Sequence, residues 1–320
     1  MAVLFLQAAA CPGVNPPPAP PPDAAAACVD TDGSNDPAGS GHVFLLDQLG
    51  FANVSDCLDR DGDGTPDCAI NHAWRPLLPM INGLFGAAIA NGRILMALEV
   101  AGLCAPYDGA DPAATIKLYP SIDVDGDPTN NLCGGPGCGQ VLARARYLED
   151  GQTVYRGQPK PVVDFVASAE FDSQLNIELD AQAQPLVVRQ LALHCLVPET
   201  MSEIPSGVMC GVAPVRQLAF VKLPLCDASP ILCQQARLPA DLSLAEYLAV
   251  LGEQPDVDLD GDGLERFELD GNSRVLICYD GDGRVMGAKD CLQDPQMQDG
   301  YSVCFKLHGI PGAIVGVNGG

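Results

Sequence analysis

Apolar and polar positions alternate along this chain with two different periods. Ile81, Leu84, Phe85, Ala88 and Ile89 recur at intervals of three and four residues, which predicts an amphipathic helix that stops at Asn91-Gly92. A second helix carries explicit start and stop signals. Ser243 and Glu246 have the spacing of a capping box, Leu242 and Tyr247 of a hydrophobic staple, and Leu244, Tyr247, Leu248 and Leu251 fall on one face before Gly252. Elsewhere the period drops to two. Ile116 and Leu118 alternate with Thr115 and Lys117, Leu175, Ile177 and Leu179 with Asn176, Glu178 and Asp180, and Val303, Phe305 and Leu307 with Ser302 and Lys306. Such alternation predicts half-buried antiparallel strands. Apolar runs at Ile94–Val100, Val187–Leu196, Arg274–Tyr279 and Ala313–Val317 add strands, and 34 Gly with 28 Pro supply turns. The fold class expected is mainly β: an antiparallel β-sandwich with two short helices, forming one domain over residues 42–320.

Ahead of that domain the composition changes. Residues 12–41 are rich in Pro, Ala, Gly, Ser and Asp, with Pro-Pro-Pro-Ala-Pro-Pro-Pro at 16–22, which favours extended polyproline II and reads as a stalk. Residues 1–11, an apolar run ending in Ala-Ala-Ala-Cys11, look like a shortened bacterial lipoprotein signal with Cys11 as the lipidated residue. The competing reading is a buried N-terminal strand with Cys11 in a disulfide. Membrane contact is expected only through a lipid anchor at Cys11, and localisation at a bacterial outer-membrane surface or outside the cell.

The 14 cysteines point the same way, because several form close, turn-bounded pairs: Cys57 with Cys68, Cys133 with Cys138, Cys226 with Cys233, Cys278 with Cys291. That pattern predicts disulfides in an oxidising compartment. Zinc would require CxxC knuckles or matching Cys/His pairs, which are lacking. Connectivity stays open, with short loops such as Cys57 to Cys68 the easiest closures.

Charge narrows the partners. Lys plus Arg total 17 against 41 Asp plus Glu, a formal charge of −24, so a nucleic-acid backbone would be repelled. Hydrophobic residues make up 47%, unlike disordered acidic chains. Of the acids, 31 are Asp and 10 Glu, which points to turns and cation loops rather than helix surfaces.

Two stretches concentrate those aspartates. In the first, bracketed by Cys57 and Cys68, Asp59, Asp61, Asp63 and Asp67 occupy positions 1, 3, 5 and 9 and Gly64 position 6, the spacing with which a calcium loop wraps oxygens round one hard cation. In the second, directly after the capped helix, Asp258, Asp260, Asp262 and Gly263 take positions 1, 3, 5 and 6. Clustered carboxylates repel, and a divalent cation relieves that repulsion. The bland alternative is a set of solvated Asp-Gly turns. Asp280-Gly-Asp282-Gly would complete the second cluster. Asp123-Val-Asp125-Gly-Asp127 is a weaker candidate, having Pro128 where Gly is wanted, and Asp30–Asp36 is weaker still.

The first loop resembles thrombospondin type 3, dockerin and EF-hand calcium loops. The resemblance implies Asp59, Asp61, Asp63 and Asp67 as side-chain ligands of Ca2+, with Thr65 offering its carbonyl. Carried to the second loop it implies Asp258, Asp260, Asp262 and Leu264. That loop departs from the EF-hand at position 12, where Leu269 replaces the bidentate Glu and Glu268 or Asp270 must serve. More broadly, the segments around Leu45, Asp59–Asp67, Gly92–Glu99, Pro255–Phe267 and Asp299–Ser302 resemble uncharacterised acidic lipoproteins of bacterial cell envelopes, a family that implies no reaction.

Catalytic signatures are lacking: the sequence holds no GxSxG, HExxH, P-loop or CxxCH motif, and His42, His72, His194 and His308 are scattered. His194 precedes Cys195, but neighbours on a strand face opposite ways. The expectation is therefore a secreted or surface-anchored calcium-binding lipoprotein with a non-enzymatic role in interaction, adhesion or structure, its ligand an unknown protein or carbohydrate. With one tryptophan, Trp74, a sugar-stacking platform would be thin. The alternative is a secreted, calcium-stabilised hydrolase using pairs such as Glu170 and Asp172 or Glu178 and Asp180. A pair of acids in a deep cleft, one with a raised pKa, would favour the hydrolase.

Overall fold

A computed structural model describes residues 39, 41–59, 64–101, 110–111, 115–132, 139–143, 151–156, 162–167, 172–175, 186–198, 200–221, 242–270, 274–287 and 291–317. In chain order the elements are β1 (His42–Phe51), α1 (Ala69–Ala73), α2 (Leu78–Ala90), β2 (Met96–Ala101), β3 (Ala110–Asp111), β4 (Thr115–Asp123), β5 (Gln140–Ala143), β6 (Gly151–Arg156), β7 (Val162–Ala167), β8 (Asp172–Leu175), β9 (Leu186–Leu196), β10 (Ile204–Pro214), α3 (Val215–Leu218), α4 (Leu244–Val250), β11 (Arg266–Leu269), β12 (Val275–Tyr279), β13 (Gly300–Pro311) and β14 (Ala313–Val317).

The protein is mainly β, with a large antiparallel-dominated sheet. One hydrogen-bonded path runs β14-β5-β4-β2-β1-β13-β10-β9-β7-β6-β3, with β8 added beside β9, and β11 pairs β12 in a separate ribbon. All pairings are antiparallel except β14 with β5. β13 lies mid-path, and its first half is buried on both faces, while Lys306 further along is exposed as the alternation predicted. Val303, Phe305 and Leu307 enter the main core, while Ser302 and Cys304 on the other face are also buried. Lys117 on β4, expected to face solvent, is fully buried as well, opposite Glu99 in the β2–β4 register.

Glu99 has a definite task. Its carboxylate accepts from Tyr119 Oη at 2.9 Å and from the backbone N–H groups of Gly39 (3.1 Å) and Gly41 (2.7 Å). The last residues of the stretch read as a stalk are thus fastened to the sheet. Gly41 approaches too closely for a side chain, since a Cβ there would lie 2.4 Å from Val100 O.

The main core packs α2, α3 and α4 against one face. Phe51, Trp74, Phe85 and Phe305 form its aromatic centre, with ring centroids of Phe51 and Trp74 5.0 Å apart, edge to face. Trp74 is therefore core and offers no stacking surface for a sugar. Ile81, Phe85, Ala88 and Ile89 are buried as the period predicted, but Leu84 is 44% exposed. The helix ends at Asn91-Gly92, with Gly92 at φ +67°. α4 has the full capping box: Glu246 N donates to Ser243 Oγ at 3.2 Å, and Ser243 N donates to Glu246 Oε2 at 3.0 Å. Leu251, assigned to its apolar face, caps the helix and is exposed.

Cys57–Cys68 and Cys278–Cys291 are disulfides, as their short loops suggested, and Cys210–Cys304 crosses β10 and β13. The first and third pack together with Ala52 in a small cluster of their own. Cys133, Cys138, Cys226 and Cys233 lie outside the described residues, as do 1–38, Ile177 and Leu179. No helix among the described residues is long and apolar enough to cross a membrane.

Candidate cation site

The first Asp-rich loop leaves β1, is closed by the Cys57–Cys68 disulfide, and returns into α1. Asp67 N donates to Leu58 O at 3.0 Å across its base. Asp59 Oδ2 accepts from Gly64 N at 2.9 Å, and Gly64 sits at φ +90°, a conformation that favours glycine. Asp59 and Thr65 are exposed and Asp67 is half-buried; Asp61 and Asp63 lie outside the described residues.

The second loop repeats that geometry. Asp258 Oδ2 accepts from Gly263 N at 3.0 Å, again position 1 to position 6, and Gly263 stands at φ +106°. Asp258 Oδ1 accepts from Gly261 N at 2.6 Å and Asp260 Oδ1 from Asp262 N at 3.4 Å. The chain is thereby curled so that one oxygen from each of Asp258, Asp260 and Asp262 lies within 4.8 Å of the others, a grouping that could hold a metal ion. Desolvation and the charges of Asp260, Asp258 and Asp280 raise the Asp262 pKa. The Asp280–Gly283 turn is therefore beside the cluster, and it packs tightly: a Cβ on Gly281 would meet Asp262 O at 2.4 Å and Gly263 O at 2.5 Å.

The remaining expected ligands are engaged elsewhere. Glu268 Oε1 accepts from Tyr279 Oη at 3.1 Å, Asp270 Oδ1 from Arg274 N at 3.0 Å, and Asp280 Oδ1 from Arg284 N at 2.6 Å. Asp282 pairs with Arg284 at 2.5 Å, and the Leu264 side chain is exposed. The Asp123–Asp127 loop is a run of Asx turns: Asp123, Asp125 and Asp127 accept from the backbone N–H two residues on, at 3.0, 2.9 and 3.0 Å. The Asp127 bond and the Asn130 side chain hold Asp125 below its usual pKa, so these carboxylates already have donors.

Beneath the second loop lies a feature that local sequence patterns do not reveal. Glu265 and Asp299 are 1% and 0% exposed, and each carboxylate takes two backbone N–H groups from the other's segment. Asp299 accepts from Leu259 N (3.0 Å) and Glu265 N (2.8 Å); Glu265 accepts from Gln298 N (2.8 Å) and Asp299 N (2.8 Å). Desolvation outweighs those hydrogen bonds, and the nearby acids add to it, so Glu265 is pushed up to about 7 and Asp299 to about 6. This is a pair of acids with raised pKa values, but it sits in a closed clasp and not in a cleft.

A second link joins the two loops. Ser302 N donates to Asp256 Oδ1 at 2.7 Å, Ser302 Oγ donates to Asp256 Oδ2, and Ala69 N donates to Ser302 Oγ at 2.8 Å. The exit of the first loop and the entry to the second thus meet at one buried hydroxyl on β13. Burial, with a smaller contribution from Asp67, raises Asp256. The histidines play other parts. His308 contacts Asp47 at 2.5 Å and His72 contacts Glu253 at 3.0 Å, while His194 is exposed beside a buried Cys195. Glu170, Glu178 and Asp180 lie outside the described residues, and Asp172 opens β8.

No family model matches the chain, and neither the curated proteins nor the solved structures include a match to it.

Proposed function

We propose that this is a calcium-braced, disulfide-linked protein of the bacterial cell envelope or extracellular space, lipid-anchored through Cys11, whose role is interaction, adhesion or structure and not catalysis. The observation that carries the reading is the repeated loop geometry. In two separate Asp-rich loops the first aspartate accepts from the sixth-position glycine N–H, and in the second loop three carboxylates converge. Asp258, Asp260 and Asp262 would hold Ca2+, with the Leu264 carbonyl; Asp59, Asp61, Asp63, Asp67 and the Thr65 carbonyl would hold the other ion. Calcium there supplies only charge neutralisation and loop order. The three disulfides among the described residues fit an oxidising compartment. A sandwich-like wrapping of the long sheet about its core belongs to the same reading. The hydrolase alternative gains nothing from Glu265 and Asp299, whose oxygens are spent on backbone N–H groups.

Calorimetric titration of the oxidised full chain with CaCl2, and separately with MgCl2, tests this. Saturable calcium binding with a dissociation constant of roughly 0.1 to 1 mM is expected, weakened in Asp260→Asn. Absence of calcium binding, or equal binding by Asp260→Asn and Asp61→Asn together, would overturn it.

A further inference from the structure

Where α3 follows β10, a cavity of about 300 Å3 opens between that short helix and the segment leading into β13. In a chain with 41 acids and 17 Lys plus Arg, its lining among the described residues contains two arginines and no acid. Arg189 comes from β9, Arg216 and Gln217 from α3, Phe220 from just beyond it, and Met297 and Gln298 from the opposite side. Arg216 is exposed and makes no ion pair or hydrogen bond among the described residues, whereas Arg189 stands opposite Asp172 in the β8–β9 register. Phe220 is 50% exposed and offers an apolar wall, and Met297 is buried beneath. Gln217 Oε1 is buried and accepts no hydrogen bond among the described residues. A buried acceptor left without a donor is costly, and a ligand N–H would satisfy it.

We propose that this cavity binds a carboxylate joined to an apolar group and an amide N–H, with the carboxylate on Arg216, the apolar group on Phe220 and the N–H directed to Gln217 Oε1. An N-acyl amino acid and the C-terminal residue of a peptide share that chemistry. A guanidinium fork matches a carboxylate, an aromatic wall matches the side chain, and a cavity of this size suits a ligand of one or two residues. The site gives the interaction role proposed above a ligand class, and it rests on that reading only for its biological setting. Its walls are also tied to the cation loop. Val215 N donates to Asp299 O at 2.9 Å and Gln298 N to Glu265 Oε1 at 2.8 Å, so the clasp beneath the loop holds both sides of the cavity.

The test uses the oxidised full chain, with and without calcium, titrated with N-acetylphenylalanine, N-acetyl-Ala-Ala-Phe and the C-terminal amide of each. Saturable binding of at least one acid, with its amide about tenfold weaker or worse, is expected. Arg216→Met should weaken the acid by a similar factor and Phe220→Ala should weaken acid and amide alike, neither altering the unfolding temperature, since both residues are exposed. Binding of N-acetylphenylalanine alone assigns a small-molecule site, and binding of the tripeptide as well assigns a chain terminus. No saturation by either acid up to about 10 mM, or equal binding of acid and amide, or of wild type and Arg216→Met, overturns the proposal. Carboxylate binding that persists when calcium binding is absent would sink the cation reading alone.

Discussion

The carboxamide of Asn71 takes over where β1 ends. Its Nδ2 donates to Ala52 O at 2.9 Å and Cys304 O at 2.7 Å, while Cys304 N donates to its Oδ1 at 2.9 Å, so one side chain serves the edge of β13 that runs past the end of β1. Because Asn71 is completely buried, Asn71→Ala would leave Ala52 O and Cys304 N without water as well as without that partner, while Cys304 O would keep only Ala52 N. Urea unfolding should register a loss of about 3 kcal/mol; a change within about 0.5 kcal/mol would contradict this role. Glu265 and Asp299 make the second residue-scale prediction. Their folded pKa values of about 7 and about 6 lie above the ordinary 4.5 and 3.8, so between those limits the folded state binds more protons than the unfolded chain. Stability is then full below the ordinary carboxylate range and is lost as pH rises through the raised values. Denaturant unfolding of the cation-free protein should show a falling midpoint from about pH 4.5 to about pH 7, and a midpoint that rises over this window would contradict it.

At the scale of elements, legibility followed locality. The start of α4 was readable because a capping box lies within four residues, and β14 was readable because its five residues are an uninterrupted apolar run. β10 was not, since its sequence, Ile-Pro-Ser-Gly-Val-Met-Cys-Gly-Val-Ala-Pro, contains the residues of a turn. Gly207 and Gly211 are there for close packing: a Cβ would lie 2.6 Å from Cys195 Sγ at the first and 2.3 Å from Val188 Cγ1 at the second. The aspartate spacing of the Asp-rich loops is equally local, so the grouping of Asp258, Asp260 and Asp262 could be assembled from sequence. The clasp could not, because Glu265 and Asp299 are 34 residues apart and only the fold brings them together. Nor could the buried Lys117, whose period-two position predicts an exposed face that tertiary packing then covers. The approach of the Asp280–Gly283 turn to the second loop is testable at this scale. Gly281→Ala should force the two apart, lowering stability by about 1 to 3 kcal/mol and weakening calcium binding. Gly287→Ala, with open space around its Cα, is the matched control and should be silent in the same melts. Equal behaviour of the two variants would contradict the packing described.

Over the whole molecule, the Asp-rich loops are joined to each other and to the sheet. Ser302 on β13 holds the exit of one loop and the entry of the other, the Glu265–Asp299 clasp fixes the second loop against the start of α3, and the Cys57–Cys68 and Cys210–Cys304 disulfides pack where the first loop meets β10 and β13. With a formal charge of −24, the ion-free molecule carries its own repulsion. A cation in either loop would therefore stabilise the common junction and not a detached appendage. At about tenfold excess over its dissociation constant, one ion contributes about 1.4 kcal/mol, which for a domain of this size raises the unfolding temperature by about 2 to 3 °C. The most direct measurement is thermal unfolding of the oxidised chain in CaCl2 and in EGTA at equal ionic strength, with MgCl2 and the Asp260→Ala variant beside it. A rise of that size in calcium, smaller in magnesium and reduced in the variant, is the predicted result; identical melting in calcium and EGTA would contradict calcium bracing and leave the Asp-Gly loops as solvated turns.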